Sequence, residues 1–131
     1  RGFWSDDINV LGHMPQAELK TVMSKSHVMA LPSIQDGFGM VVLQAMSCGL
    51  AVLCSSNSCG SDVVDHGING FVFEPTDVNK IIECINILAY DKPLLKKFKV
   101  ASRDKILEGL TWQHYGTRYS KLIQEKFNKL K

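Results

Sequence analysis

The apolar positions of this chain change period near residue 76, and the change separates two kinds of structure. Before it, short apolar runs at residues 8–11, 27–31, 50–54 and 71–73 have the length of buried strands, with glycine, proline and polar clusters between them. A helix is expected to open near Pro15, at the position where a missing N–H costs nothing, and to bury Leu19, Val22 and Met23. Pro32 biases Leu31 to extended geometry and leads into a polar loop over 33–37. A second helix is expected over 39–47, closed at Cys48-Gly49 because glycine accepts the left-handed cap. After the polar stretch 55–61 come a short helical turn over 62–65, for which Asp62 is a candidate N-cap, and a turn at Gly67-Ile68-Asn69-Gly70.

Beyond Thr76 the spacing is helical throughout. Val78, Ile81, Ile82, Ile85, Leu88 and Ala89 mark one face of a first helix. Pro93 opens a second, carrying Leu94, Leu95, Phe98, Ala101 and Ile106; Thr111 caps a third, whose stripe Tyr115, Tyr119, Leu122, Ile123, Phe127 and Leu130 is expected to be mostly core. Alternating strands and helices with short connections predict an α/β fold: a Rossmann-like parallel sheet flanked by helices, followed by C-terminal helices. In such a sheet ligands bind at the carboxyl ends of the strands, here the loops that start at Pro32 and at Ser55.

Composition narrows the class without changing this picture. With 131 residues, 45% hydrophobic and 21% charged, the chain reads as one domain over 1–131, and its start at Arg1 as a truncated beginning. A domain of this size buries roughly 70% of the surface its unfolded chain exposes, so it needs no disulfide or metal staple. Cys48, Cys54, Cys59 and Cys84 form no CxxC pair, which fits free thiols in a reducing cytoplasm and no metal site. No apolar run approaches the ~18 residues of a membrane-spanning helix, and residues 1–10 lack the order of a signal peptide. Charge is lopsided: residues 1–91 carry 4 basic against 10 acidic residues, net −6, and residues 92–131 carry 11 against 3, net +8. Those lysines fall between apolar helix positions, as on any solvated helix face, and no reading motif for nucleic acid accompanies them.

The chemistry concentrates in Pro32-Ser33-Ile34-Gln35-Asp36-Gly37-Phe38-Gly39, which leaves a strand end and feeds a helix. Its glycines let backbone approach a ligand, and the free N–H groups of the first helical turn, near Gly39 to Val41, form an anion site suited to phosphate. Asp36 precedes that site and Gln44 follows eight positions later, about two turns below the helix start at roughly 1.5 Å per residue. A bare GxG is a weak motif that gains meaning only from its strand-loop-helix setting.

The run Leu31-Pro32-Ser33 with Asp36-Gly37-Phe38-Gly39-Met40-Val41-Val42-Leu43-Gln44-Ala45-Met46-Ser47-Cys48-Gly49 resembles the signature of the retaining glycosyltransferases of family four, in which EGFG opens a segment with two glutamates separated by seven residues. Val10-Leu11-Gly12, Cys59-Gly60, Gly67-Ile68-Asn69-Gly70-Phe71-Val72 and Thr111-Trp112 extend the likeness in the same order. The resemblance implies a GT-B fold of two Rossmann-like domains facing a cleft, this chain being similar to most of the C-terminal, donor-binding one. It implies transfer of a sugar from a nucleoside-diphosphate donor to an acceptor hydroxyl with retention, in polysaccharide, lipopolysaccharide or glycoconjugate synthesis, with no cofactor and no metal. Asp36 then stands at the first glutamate, beside the reacting sugar, as the catalytic residue. Ser33, Gly37, Phe38, Gly39, Met40 and Val41 contact the donor, and Gln44 stands where the second glutamate grips the ribose. The Arg and Lys that clamp the diphosphate in that family lie upstream of the position of Ile8.

Both motif carboxylates differ from the family. Asp36 keeps the charge with one methylene less, and Gln44 trades a charged hydrogen bond for a neutral one, a difference of about 1 kcal/mol. Catalysis is more exposed to such changes than binding, so a binding module without transfer is the alternative reading. A nicotinamide dinucleotide domain fits less well, because Val42 stands where a third glycine is needed and Cys54-Ser55 where an acidic residue would hold ribose. His13 and Gly60 are candidate cleft-lining positions, while His27, His66 and His114 show no dyad spacing. Expected partners are the nucleotide sugar, an acceptor domain in cis or trans, and a membrane surface reached through the acceptor at its cytoplasmic face. The final helix is also a candidate docking face for that other domain.

Overall fold

A computed structural model describes residues 5 and 7–129. The elements run α1 Gln16–Lys25, β1 Val28–Leu31, α2 Met40–Ser47, β2 Ala51–Ser55, α3 Gly60–Val63, β3 Gly70–Phe73, α4 Val78–Tyr90, α5 Lys92–Gly109 and α6 Trp112–Asn128. The three strands form one parallel sheet in the order β1-β2-β3, with Val28 opposite Ala51 and Val52 opposite Gly70.

β2 is central and all five of its residues are buried, as a strand covered on both faces must be. Its pleat divides the core. Val52 and Cys54 face Val42 and Met46 of α2, Val63 of α3 and Ile106 of α5. Ala51 and Leu53 face Phe73, Cys84 and Leu88 of α4, and Leu95 and Phe98 of α5. The eighteen-residue α5 thus contributes to both layers, and a smaller cluster of Met23, Ala45 and Leu50 seats α1 against α2.

Caps place the helix starts. Asp77, Asp91 and Thr111 accept from the N–H groups of Lys80, Leu94 and His114, and Gly49 ends α2 at φ 73°.

Five expectations need correction. Residues 8–11 form no strand: Ile8, Val10 and Leu11 are exposed, and among the described residues no strand pairs with them, so an apolar run alone has nothing to hydrogen-bond. Pro15 is the N-cap of α1 rather than its first residue, and of the predicted stripe only Met23 is fully buried. α3 starts at Gly60, which places Asp62 in its first turn instead of at its cap. α4 buries Cys84 and Leu88, with Ile81 packed beside them, while Val78, Ile82 and Ile85 face outward. Its apolar stripe is wider than the strip of sheet and α5 available to cover it. α6 buries none of its residues, although its stripe is the cleanest in the sequence; Leu130 lies outside the described residues. Among the described residues, no helix is long and apolar enough to cross a membrane.

Candidate functional site

The carboxyl ends of β1 and β2 open into two loops, residues 32–39 and 56–59, and side chains tie one to the other. Ser55 Oγ donates to the Ser33 carbonyl at 2.5 Å, and Asn57 Nδ2 donates to the Ile34 carbonyl at 3.0 Å. The Asp36 N–H donates to the Asn57 carbonyl at 3.2 Å, and the Cys59 thiol reaches the Gly39 carbonyl at 3.4 Å. Ser, Asn and Asp have short polar side chains that satisfy nearby backbone, which suits them to bracing a loop of this kind. The sequence marks the loop from Ser55 and the pair Cys59-Gly60, but no local pattern assigns Ser55, Asn57 and Cys59 to bracing the first loop; the polar run Ser55-Ser56-Asn57-Ser58 is the available signal.

Gly39 is the buried hinge between the first loop and α2. A Cβ there would stand 3.3 Å from Asp36 Oδ2, 3.3 Å from Leu31 Cδ2 and 3.5 Å from Cys59 Sγ. Absence of a side chain therefore lets the carboxylate of Asp36 rest against the tip of α2.

The amides at that tip divide into two sets. Met40 N–H is taken by the Phe38 carbonyl at 2.8 Å and Val42 N–H by the Gly39 carbonyl at 2.9 Å. The N–H groups of Gly37, Phe38, Gly39 and Val41 make no hydrogen bond among the described residues. Of the three amides expected over 39–41, Gly39, itself buried, and Val41 thus have no protein partner, and Met40 is engaged. Open amides at the positive end of a helix form a site for anions.

Gln44 lies one turn into α2 rather than the two expected, because the helix begins at Met40 and not near Asp36; it is half-buried, and its Nε2 donates to Gln16 Oε1 at the start of α1, at 3.3 Å. It lies between two clefts. One, of about 560 Å³, is lined by Phe38, Met40, Leu43, Gln44, Trp112, Tyr115 and Arg118; the other, of about 550 Å³, by Gln16, Lys20, Gln44 and Arg103 among others. Phe38 and Met40 are exposed in spite of their size, 58% and 41%. Arg118 brings a cation to the motif from α6, 74 positions beyond Gln44 in sequence, a separation no local pattern reveals.

The remaining candidates separate from these. His13 is exposed in the loop before α1. Gly60 is buried, and a Cβ on it would fall 2.0 Å from Cys54 Sγ, so its bareness serves the approach of α3 to β2. Burial pushes the Cys54 thiol up to about 11, with the neighbouring Cys59 adding to the rise and a hydrogen bond with Ser58 opposing it. Cys59 is raised chiefly by burial as well, and all four cysteines carry free thiols. Among the described residues, no group of three His, Cys, Asp or Glu side chains comes together as a metal site would need. A basic groove of about 500 Å³, lined by His27, Lys92, Lys96, Lys99 and Arg103, lies by the residue preceding β1, at the amino edge of the sheet.

Known proteins are similar to this chain in sequence or in architecture. The O-antigen chain mannosyltransferase B of Escherichia coli is 37% identical over 81 residues, which cover 62% of this chain and 21% of that protein. The structure of sucrose-phosphate synthase from Thermosynechococcus elongatus superimposes with a TM-score of 0.83 at 22% identity, over 91% of this chain and 30% of the other. The Anabaena protein HepE in complex with UDP superimposes with a TM-score of 0.78 at 20% identity, over 84% of this chain and 30% of the other. The chain thus spans a fifth to a third of these relatives, whose GT-B fold its parallel sheet and flanking helices share. The family described as "Glycosyl transferases group 1" matches residues 4–105, most of the sequence, and this chain belongs to that family.

Proposed function

We propose that this chain is the donor-binding part of a retaining glycosyltransferase that moves a sugar from a nucleoside-diphosphate carrier to an acceptor hydroxyl. The observation that carries the reading is the tip of α2. The N–H groups of Gly39 and Val41 have no protein partner at the carboxyl edge of a parallel sheet, with the Asp36 carboxylate packed against the same glycine. A diphosphate at those amides is stabilised by the helix end, and its leaving charge develops where the dipole favours it. Asp36 is then the carboxylate next to the departing sugar, and the exposed ring of Phe38 and side chain of Met40 border the donor. Gln44 faces the ribose. Nucleoside diphosphate binding by a protein of this fold has a precedent in the UDP complex of the Anabaena relative.

The acceptor is held by a further domain, in cis or in trans, so the 131 residues alone bind donor and transfer nothing. The reaction takes place in the cytoplasm, at a membrane surface when the acceptor is lipid-linked, and uses no metal or cofactor. Loss of transfer with retention of binding is a second reading, favoured by the shortened Asp36 and the uncharged Gln44. It predicts donor affinity without turnover when the chain is joined to an acceptor domain.

Calorimetry with UDP-, ADP- and GDP-sugars tests the site. Wild type is expected to bind at least one of them, Gly39→Val to lose it because a branched side chain collides with Asp36 and Leu31, and Gln44→Ala to weaken it about tenfold. A wild-type chain that ignores all three donors, or equal affinity in all variants, removes the assignment.

A further inference from the structure

On α5, Lys92, Lys96, Lys99 and Arg103 follow one another at helical spacing and line the groove at the amino edge of the sheet, one face of the helix over about 16 Å. Each successive pair sets like charges on neighbouring turns, which disfavours a helix. Lys92 also holds the first position of α5, where the positive helix end favours acids, yet no acidic residue occupies that turn. Two of the four cations serve the fold. Lys99 Nζ donates to the Ser26 carbonyl at 3.3 Å and Arg103 to the Ser47 carbonyl, at the C-terminal ends of α1 and α2. Lys92 and Lys96 have no such role: both are exposed, and among the described residues the ion pairs are Lys80 with Glu83 and Lys105 with Asp65. Asp104 is the one carboxylate on the groove's lining.

Apolar side chains left out of the core stand beside these cations. Tyr90, two residues before Lys92, is 86% exposed, Val100 lies in the groove itself, and Leu107 follows Arg103 by one turn. A protein partner is gripped by anchors buried in matching pockets, whereas lipid phosphates form a dense layer that needs no register. Tyrosine among basic residues is the mixture that suits a headgroup region. We propose that this face of α5 docks on the surface of an anionic phospholipid bilayer, with Lys92 and Lys96 on lipid phosphates. The proposal does not depend on the donor site, which lies at the opposite, carboxyl edge of the sheet and stays clear of the lipid.

Sedimentation of the whole chain with vesicles tests it, using phosphatidylcholine alone and phosphatidylcholine mixed with phosphatidylglycerol at about three to one. Wild type is expected to bind the anionic vesicles, to ignore the neutral ones, and to come off in about 0.5 M salt, where the screening length is about 4 Å. A basic residue near such a surface strengthens binding about fivefold, so Lys92→Gln with Lys96→Gln is expected to lose about thirtyfold. Lys121→Gln with Lys126→Gln on α6 removes the same charge and is expected to lose less than about threefold. The urea midpoint of the Lys92 and Lys96 variant should equal or exceed that of wild type, because like-charge neighbours have been removed, whereas a structural role would lower it. Absent or equal binding to the two kinds of vesicle, equal losses in the two double variants, or a lowered midpoint overturns the proposal. So does a wild-type chain that passes over the vesicles and binds a soluble glutamate-rich peptide through Lys92 and Lys96, which makes the partner an acidic protein.

Discussion

The two loops at the carboxyl edge of the sheet both contain small residues and both leave a parallel strand, yet one is open and the other sealed. Loop 32–39 exposes Phe38 and leaves four amides without protein partners. Loop 56–59 ends at Cys59, next to Gly60 of α3, both buried, over a Cys54 thiol with no exposure at all. The glycines show the same contrast. Nothing lies within 4 Å of a Cβ placed on Gly37, whereas one on Gly60 would overlap Cys54 Sγ. A glycine can be required by packing or by a ligand, and spacing in the sequence does not distinguish the two. Here the sealed loop is the brace, and the open loop is what it holds in shape.

That contrast sets an order of expected effects. Gly60→Ala breaks the brace: the added methyl must displace a buried sulfur, and stability in urea is expected to fall by about 2 kcal/mol or more, as in overpacked cores. Recovery of wild-type stability in this variant would show that α3 can lift from β2 without penalty.

Alkaline pH strains the same dry floor. The folded Cys54 thiol is raised from its ordinary 9.0 to about 11. Between those values the unfolded chain has already released a proton that the folded chain retains. Stability is therefore full below pH 9 and declines as pH rises toward 11, by on the order of 2 kcal/mol. Urea midpoints across that interval should fall for wild type and fall less for Cys54→Ala.

Asn57→Ala cuts one tie while leaving the core intact. Its side-chain bond to the Ile34 carbonyl is exposed, so the expected loss of stability is about 0.5–1 kcal/mol. Nucleoside diphosphate affinity should drop with it, because loop 32–39 then has more conformations to lose on binding. A drop in stability with no change in affinity would uncouple the loops. The smallest effect belongs to Gly37→Ala, expected within about 0.5 kcal/mol of wild type because its Cβ meets open space and its φ lies outside the left-handed region. A large loss there would mean that the open loop is packed after all.

How much of this was legible follows from where each signal originates. α2 and its Gly49 stop, the buried run of β2, and the Leu95, Phe98 and Ile106 face of α5 are set by period and capping within a few residues, and they stand where the pattern put them. Strand formation at 8–11 depends on a neighbouring strand, which no local pattern contains. The same holds for α6, where amphipathic spacing indicates a face to be covered but not what covers it. Trp112, Tyr115, Tyr119, Leu122 and Phe127 remain exposed. In the site, the strand-loop-helix arrangement around Asp36 and Gly39 could be read from the sequence. The bracing by Ser55 and Asn57, the engagement of Met40 N–H by Phe38, and the meeting of Gln16 with Gln44 could not, since each joins atoms through the fold or through loop geometry that residue type leaves open.

The central claim is that the amides of Gly39 and Val41 receive a diphosphate, and amide-resolved NMR tests it most directly. Addition of a nucleoside diphosphate to the 15N-labelled chain should move the Gly39 and Val41 amide protons downfield in a saturable way, with Val42, whose N–H is already bonded, moving far less. Saturable shifts confined to the basic groove by Lys92 and Lys96, with Gly39 and Val41 unmoved, would contradict the account.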